Sequence, residues 1–328
     1  MRAGKQLGLL ACAAIFLGSG AVLAQPAAAD YPNKPVRWIV TFPPGAANDN
    51  VARTIGQQLS KSLGQQFVVD NRPGASGMIG TETVAKADPD GYTLLLANAS
   101  TFSFVLTRKN PPFRTTDFAP VAKFGYAPLI IVAGSSFPPK NVKELVAYAK
   151  ENPGKLTWGS SGIGSVLHIG LAQFQAETGI DVVHVPYKGG APLLVDLVGG
   201  QINLTHSSTL STEAYVKSGR IKVLAIAGPK RQAVLPGVPT LAEQGIKGSD
   251  SSVWYGLVAP ARTPRPIIDK LNREVNKALE VPDVRQRFDR LGLQIEEGGS
   301  PEKFDAFIKS ELEILGRLIK TGAMPRGE

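Results

Sequence analysis

The chain of 328 residues has almost no cysteine. Its single cysteine, Cys12, lies inside an N-terminal apolar run. The sequence beyond that run can form no disulfide bridge, so a large hydrophobic core must hold it together. No later segment is long and apolar enough to suggest a membrane span. Histidine is scarce too, and the three histidines are far apart, without the spacing of paired metal ligands.

The first 24 residues have the pattern of an export signal. Arg2 and Lys5 precede the apolar run "LGLLACAAIFLGSGAVLA", which ends with small residues at Val22 and Ala24. We predict a signal peptide over residues 1–24, cleaved near Ala24, and a periplasmic product. An uncleaved anchor is the first alternative, although the run is short and interrupted by glycine. Lipidation at Cys12 is the second, because "LLAC" faintly resembles a lipoprotein cleavage box.

Charge gives little information about the partner. The net charge of +9 becomes +7 if the first 24 residues, with Arg2, Lys5 and no acidic residue, are removed. A basic balance suits nucleic acids, anionic surfaces or small anions, but it is also an ordinary solubility charge. Export and the lack of a Lys/Arg-rich run argue against nucleic acid.

Strand-like and helix-like segments alternate along the chain. "VRWIVTF" is rich in β-branched and aromatic residues, and Val51, Ile55, Leu59 and Leu63 after it share one helical face. The same alternation continues through "RIKVLAIAG", and the last 65 residues or so are mainly helical. This pattern predicts an α/β fold with parallel strand pairs.

Two segments, "AKFGYAPL" and "SSVWYGLVAP", are candidate crossings between lobes. We expect one lobe from residues 25–125 and 254–328, and a second from residues 126–253. Two lobes that share two linkers enclose a cleft between strand ends, where α/β proteins bind ligands.

The nine residues "FPPGAANDN", from Phe42 to Asn50, join the first strand to the first helix. Asn48 and Asp49 are good N-cap types, so we expect the helix to begin near them and Asp49 to cap it. Small residues would let a ligand approach the free N–H groups of the first turn, and the helix dipole favours a carboxylate there. An ordinary capped turn is the alternative. The expected contacts are Phe42, Pro43, Gly45, Ala46, Ala47 and Asp49.

A second strand-to-helix loop, "GSSGIGS" from Gly159 to Ser165, offers hydroxyl groups beside glycines. It lacks the lysine of a phosphate-binding loop and the spacing of a dinucleotide-binding loop. Hydroxyls at a helix N-terminus suit an oxyanion, and one such loop in each lobe could hold the two ends of a dicarboxylate. The expected contacts are Ser160, Ser161, Gly164, Ser165 and His168, and the second-rank candidates are Arg72, Ser76, Ser100, Lys188, His206 and Ser207.

Enzymatic function finds little support in the sequence. "GSSGIG" does not have the spacing of a nucleophile elbow. His168 lies on an apolar helix side, His184 lies in an apolar strand, and His206 ends a strand and could face the cleft. We expect no catalytic residues, no metal and no cofactor. An exported hydrolase remains the least favoured alternative.

Several motifs in one order resemble a known family. They are "YPNKPVRWIVTFPPGAANDNVAR", "VVDNRPGASGMIGTETVAKADPDGYTLL", "WGSSGIGSVLHIG", "VPYKGGAPLLVDLVGGQINL" and "SSVWYGLVAPARTPRPIIDKLN". They closely resemble the Bug-type solute receptors of the tripartite tricarboxylate transporter family, from about Tyr31 to the C-terminal helices. The resemblance implies a type II periplasmic-binding-protein fold, two α/β lobes joined by a two-stranded hinge. It also implies a small carboxylate ligand between the two loops, held largely by backbone groups, hydroxyls and water.

The sequence departs from the family pattern at three places. Ala46 replaces the second glycine of Pro-Gly-Gly, and alanine disfavours positive φ, so the loop is expected to differ. Asn203 and Ser207 take places that are usually acidic, and His206 takes a usually hydrophobic one. If Ser207 faces the cleft, the lost carboxylate makes the pocket more favourable for a second anion.

The resemblance thus predicts a monomeric periplasmic receptor for a di- or tricarboxylate, an aromatic acid or an acidic amino acid. Its partners would be the transporter subunits. A receptor that serves a membrane sensor kinase without transport is the alternative.

Overall fold

The computed structural model describes residues 30–74, 77–296, 298–322 and 324. The predicted signal peptide with Cys12, and the candidate Ser76, lie outside these residues. Strands and helices alternate as predicted, in the order β1 Val36–Val40, α1 Ala47–Leu63, β2 Phe67–Asn71, α2 Met78–Ala85, β3 Thr93–Asn98, α3 Ala99–Thr107, β4 Phe118–Gly134, α4 Val142–Glu151, β5 Thr157–Ser160, α5 Val166–Thr178, β6 Val183–Pro186, α6 Gly190–Val198, β7 Leu204–Ser207, α7 Thr209–Lys217, β8 Ile221–Ala227, β9 Ser252–Pro260, α8 Arg265–Glu280, α9 Pro282–Arg290, β10 Gln294–Ile295 and α10 Pro301–Lys320.

The first lobe is built on the strand order β2-β1-β3-β9-β4, with β10 paired to β4. β1 is parallel to β2 and β3, whereas β9 is antiparallel to both β3 and β4. Alternation along β1 sends Trp38 and Val40 to one core and Ile39 to the other. Helices α1, α8 and α9 cover the first face, and α2, α3 and α10 cover the second.

The second lobe uses the strand order β4-β7-β5-β6, with β8 also paired to β4. β5 lies parallel to β6 and β7, while β4 is antiparallel to β7 and β8. Its core surrounds the buried Trp158 and Phe174. The prediction of a two-lobed α/β fold is confirmed, and each sheet combines parallel with antiparallel strand pairs.

Two chain segments pass between the lobes. β4 is one strand of 17 residues: its first part pairs with β9, and Leu129–Gly134 pair with β8. The second crossing lies at Ser251, which bonds through its backbone to Leu129 and Ala227 just before β9 begins. The segments "AKFGYAPL" and "SSVWYGLVAP", given as candidate crossings, thus lie on β4 and on β9 with the residue before it.

Parallel strands place their carboxyl ends, and the helix N-termini that follow, at one edge of a sheet. In this chain those helices are α1, α2 and α3 in the first lobe, and α5, α6 and α7 in the second. Among the described residues no helix is both long and apolar enough to cross a bilayer.

Candidate functional site

A cleft of about 1400 Å³ lies between the two lobes. Residues that begin five helices line it: Asn48 of α1, Asn98–Ser100 at α3, Ser165–Leu167 at α5, Gly189–Ala191 at α6, and Ser208 and Ser211 at α7. Phe42, Phe104, Tyr187, Tyr215 and Tyr255 add aromatic rings. The cleft therefore combines helix N-termini with apolar surface.

The loop before α1 differs from the prediction in one respect. α1 begins at Ala47 and Ala46 is its N-cap, with no side-chain capping bond, so Asp49 is the third helical residue and does not cap the helix. The positive φ of the loop falls on Gly45 (82°), while Ala46 has φ −66°. Alanine is therefore unstrained where the family pattern has glycine.

Asp49 fixes this loop, as predicted, through its buried carboxylate. One oxygen accepts from the Gly45 N–H at 2.9 Å and from Arg53 Nε at 2.9 Å, and the other accepts from Asn71 Nδ2 at 3.0 Å. Burial raises the pKa of Asp49, but the bonds from Arg53, Gly45 and Asn71 outweigh burial and lower it. The charged Asp49 carboxylate thus holds the loop from behind, whereas Phe42 and Asn48 line the cleft.

The N-terminus of α3 is a part of the site that the sequence reasoning mostly missed. Asn98 and Thr101 form a capping box, and Asn98 Nδ2 donates to Asn48 Oδ1 at 2.9 Å. The bond between the two amides links the starts of α1 and α3. Only Ser100 was a candidate here. Asn98 at the end of a buried strand was the signal for the rest, since Asn is a preferred N-cap residue.

In the Gly/Ser loop, Ser161 and Ser165 line the cleft, as do Gly162 and Ile163. Ser165 caps α5 by accepting from the His168 N–H at 3.3 Å. Ser160 is fully buried and does not line the cleft. Its Oγ accepts from the Gly162 N–H at 3.2 Å and lies 2.7 Å from His184 Nε2. The Ser160–His184 pair therefore presents no nucleophile to the cleft.

His168 lies behind the loop instead of contacting the cleft. His168 is 3% exposed, and its Nδ1 accepts from the Gly164 N–H at 3.2 Å. The ring stacks on that of His184 with centroids 3.9 Å apart. Burial first, and His184 second, lowers the pKa of His168 to about 4, so the imidazole is neutral at pH 7.

β7 ends with two candidates that point to opposite faces. Ser207 lines the cleft, but His206 is fully buried against Trp158, contrary to the hypothesis that it faces the ligand. Neither ring nitrogen of His206 has a hydrogen-bond partner among the described residues. Burial lowers its pKa to about 3. Asn203 accepts from the Thr157 N–H at 2.8 Å and is structural.

Of the remaining candidates, Ser100 and Lys188 line the cleft. Arg72 does not line it, and pairs with Asp70 at 3.2 Å near the end of β2. Beside Lys188, Tyr187 lines the cleft and donates to Asp196 at 2.7 Å. The other candidates of the two loops do not line the cleft: Pro43, Gly45, Ala46, Ala47 and Gly164.

The electrostatic character of the cleft favours an anion. Arg108 and Lys188 are the charged residues among those that line it, and none of the lining residues within the described part of the chain is acidic. No group of three His, Cys, Asp or Glu side chains among the described residues could hold a metal ion.

Two α/β lobes that enclose a cleft at their strand ends are the architecture of the periplasmic binding proteins. A family model described as "Tripartite tricarboxylate transporter family receptor" matches residues 51–324. The chain belongs to this receptor family, which confirms the resemblance found in the sequence.

Three relatives illustrate the match. The protein BugT of Bordetella pertussis is 35% identical over 319 residues, covering 96% of this chain and 98% of BugT. The solved structure of Rpa4515 from R. palustris with adipate has a TM-score of 0.79 and 32% identity, covering 90% of this chain and 99% of that one. MatC of Rhodopseudomonas palustris with bound malate has a TM-score of 0.76 and 31% identity, covering 88% and 100%.

Proposed function

We propose that the chain is a periplasmic receptor that captures a small carboxylate between its two lobes and delivers it to a tripartite tricarboxylate transporter. The leading observation is the cleft, where the first residues of five helices meet and no described lining residue is acidic. Helix N-termini attract anions through free N–H groups and the helix dipole. The adipate and malate found in two relatives are both dicarboxylates.

The lobes we propose are residues 25–125 with 254–328, and residues 126–253. β4 pairs with strands of both lobes, and Ser251 bonds to the second lobe just before β9 begins. These two segments would act as the two linkers of a hinge. Closure about this hinge would enclose the ligand and present the closed form to the membrane partner. We propose that the receptor is a monomer, exported by a signal peptide cleaved near Ala24.

A thermal-shift screen followed by titration calorimetry tests binding. The panel contains adipate, malate, citrate, benzoate, glutamate and nicotinamide, and the protein is first unfolded and refolded to remove bound ligand. A ligand at a hundred times its Kd stabilises the fold by about 2.7 kcal/mol. We expect a shift with a carboxylate and none with the neutral nicotinamide. A shift with nicotinamide alone would contradict the proposal.

A pair of matched variants tests whether the acid binds in the cleft. Ala191 is an exposed residue that lines the cleft at α6, and Ala147 is an exposed residue of α4 that does not. Ala191→Trp should block the ligand, whereas Ala147→Trp should bind like the unmodified protein. Equal affinities in the two variants would place the ligand elsewhere.

The partner is tested in cells. Deletion of the gene should abolish uptake of the acid that binds in vitro. Normal uptake with altered gene expression would instead support a receptor that serves a sensor kinase.

A further inference from the structure

The stacked His168–His184 pair lies directly behind the Gly/Ser loop, and each ring contacts one end of it. His184 Nε2 lies 2.7 Å from Ser160 Oγ, at the start of the loop. His168 Nδ1 accepts from the Gly164 N–H at 3.2 Å, near the end. The residues between these anchors, Ser161–Ile163, all line the cleft.

The loop needs such anchors because its backbone is unusual. Gly162 and Gly164 have φ of 126° and 81°, which glycine adopts freely in folded and unfolded chains alike. Two glycines so close together give the loop little stiffness of its own. The bonds to buried groups must therefore select one conformation.

The bonds at Ser160 indicate which nitrogen of His184 carries the proton. Ser160 Oγ accepts from the Gly162 N–H and is 3.1 Å from the Gly162 carbonyl oxygen, to which it can donate. A hydroxyl has one proton, and here it goes to the Gly162 carbonyl oxygen. The contact with His184 is therefore a hydrogen bond only if His184 Nε2–H donates to Ser160 Oγ. A neutral imidazole meets this requirement.

The bond at His168 is more sensitive to protonation. An imidazolium ring has two N–H donors and no acceptor, so a protonated His168 cannot accept from the Gly164 N–H. It would also place a charge against the stacked His184 ring. Protonation would therefore release Gly164 and with it the end of the loop.

We propose that His168 and His184 are positioning residues for the ligand: as neutral rings they hold the Gly/Ser loop in its binding conformation, and protonation of His168 releases the loop. This inference rests on the proposed function, because the loop matters through the carboxylate it would bind. It adds an acid-sensitive control of affinity to that function.

The surroundings of His168 offer few other charges. His184 of β6 is the group within the described chain whose charge acts on its pKa. On the side of β5, the group at the start of the loop is Ser160, which is neutral. From α3, the neutral Ser103 donates to the Gly164 carbonyl at 3.2 Å, and Thr107 Oγ1 lies against Gly164. No described carboxylate bonds to either ring to hold a proton there.

Calorimetric titration at several pH values, with adipate and malate as probes, tests the proposal. His168→Asn offers an uncharged acceptor near the position of Nδ1, whereas His168→Leu offers none. At pH 7 we expect the Asn variant to bind within about threefold of the unmodified protein. The Leu variant should bind about tenfold or more weakly, because it leaves the buried Gly164 N–H without an acceptor.

Measurements at acidic pH distinguish a positioning role of His168 from a merely structural role. The ratio of the unmodified Kd to the Kd of His168→Asn cancels the titration of the probe itself. With a pKa of about 4, half of the loops are released at pH 4, so this ratio should rise to about twice its pH 7 value there. His206→Leu, which removes a buried histidine that makes no hydrogen bond to the loop, should titrate like the unmodified protein. A constant ratio between pH 7 and pH 4 overturns the proposal.

A measurement without ligand makes the test independent of the proposed function. At pH 7, NMR should detect coupling across the hydrogen bond between the Gly164 amide nitrogen and His168 Nδ1, in the unmodified protein and not in His168→Leu. Absence of this coupling overturns the positioning role even if both acids bind. Failure of every acid to bind, with the coupling present, counts against the carboxylate receptor and leaves the loop anchor supported.

Discussion

Ser103 Oγ of α3 donates to the carbonyl oxygen of Gly164 in the Gly/Ser loop at 3.2 Å. This bond joins a helix of the first lobe to the Gly/Ser loop of the second, beside the cleft. A Cβ atom on Gly164 would lie 3.2 Å from Thr107 Oγ1, so α3 packs closely against the loop. A change at Ser103 or Thr107 should therefore affect the proposed ligand through Gly164.

Ser103→Ala removes the donor of this bond and leaves a buried carbonyl unpaired. We expect a loss of about 1 kcal/mol in the free energy of unfolding and weaker binding of the acid. Urea unfolding and calorimetry measure the two effects. Ser310→Ala removes an exposed hydroxyl on α10, which bonds to the Phe307 carbonyl, and serves as the control. Equal stabilities in the two variants would show that the bond joining the lobes contributes nothing.

Asp49→Ala should be among the more damaging changes near the first loop. It leaves the Gly45 N–H and Asn71 Nδ2 without their acceptor, so we expect a loss of about 2–3 kcal/mol and weaker ligand binding. Asp49→Asn keeps an acceptor and should lose less. The control is Asp305→Ala, which breaks an exposed pair with Lys309 and should change stability by less than 1 kcal/mol.

The pKa of Asp49 is lowered on folding, so the carboxylate stabilises the fold above the pKa of the unfolded chain. This contribution is lost as pH falls through the lower, folded pKa. The difference in stability between the unmodified protein and Asp49→Asn should therefore shrink in strong acid. A difference that grows on acidification would contradict the assigned ion pair with Arg53.

His206→Leu should stabilise the protein, since it replaces a buried ring that has no hydrogen-bond partner among the described residues by an apolar side chain. We expect a gain of about 1–3 kcal/mol in the free energy of unfolding at pH 7. The gain should be larger in acid. The folded pKa, about 3, lies below the unfolded value of 6.5, so the unfolded chain binds more protons between these pH values.

Unfolding by urea at pH 7 and pH 4 checks both statements. At 1.36 kcal/mol per pKa unit, His206 alone should add about 3 kcal/mol to the advantage of the variant at pH 4. A variant that is less stable at pH 7, or whose advantage is the same at both pH values, would show that His206 has a partner or is protonated in the fold.

Ser207→Asp tests whether the missing carboxylate of the family pattern matters for the ligand. Ser207 lines the cleft at the end of β7, so an aspartate there would repel an anion. We expect a dicarboxylate to bind about 10- to 100-fold more weakly, from a repulsion of about 1–3 kcal/mol. Ser207→Asn is the control, because asparagine has nearly the same shape as aspartate but no charge. Unchanged affinity in the aspartate variant would refute the hypothesis.

Much of the fold was predictable because its signals are local. The strands that end at Val40 and Ser160 and the small residues after them indicated both loops, and Ser161 and Ser165 do line the cleft. α3 was missed because "TFSFVLT" is rich in β-branched and aromatic residues, which favour strands. Its helix depends on the Asn98–Thr101 capping box and on packing against α10.

The orientation of individual side chains could not be predicted in the same way. His206 and Ser207 are neighbours in β7 and must point to opposite faces, but only the pairing with β4 decides which one meets the cleft. Likewise, the bond between Asn48 and Asn98 joins residues 50 positions apart. No local pattern specifies such a contact.

The measurement that tests the central claim most directly is the distance between the lobes with and without ligand. The single cysteine, Cys12, precedes the predicted cleavage site, so the exported chain should contain no thiol of its own. Spin labels at Lys61→Cys and Lys217→Cys would occupy exposed last turns of α1 and α7, one on each lobe. We predict that the acid found by the screen shortens this distance, and that it does not do so in Ala191→Trp. Tight binding of the acid with no change in distance would contradict capture between the lobes.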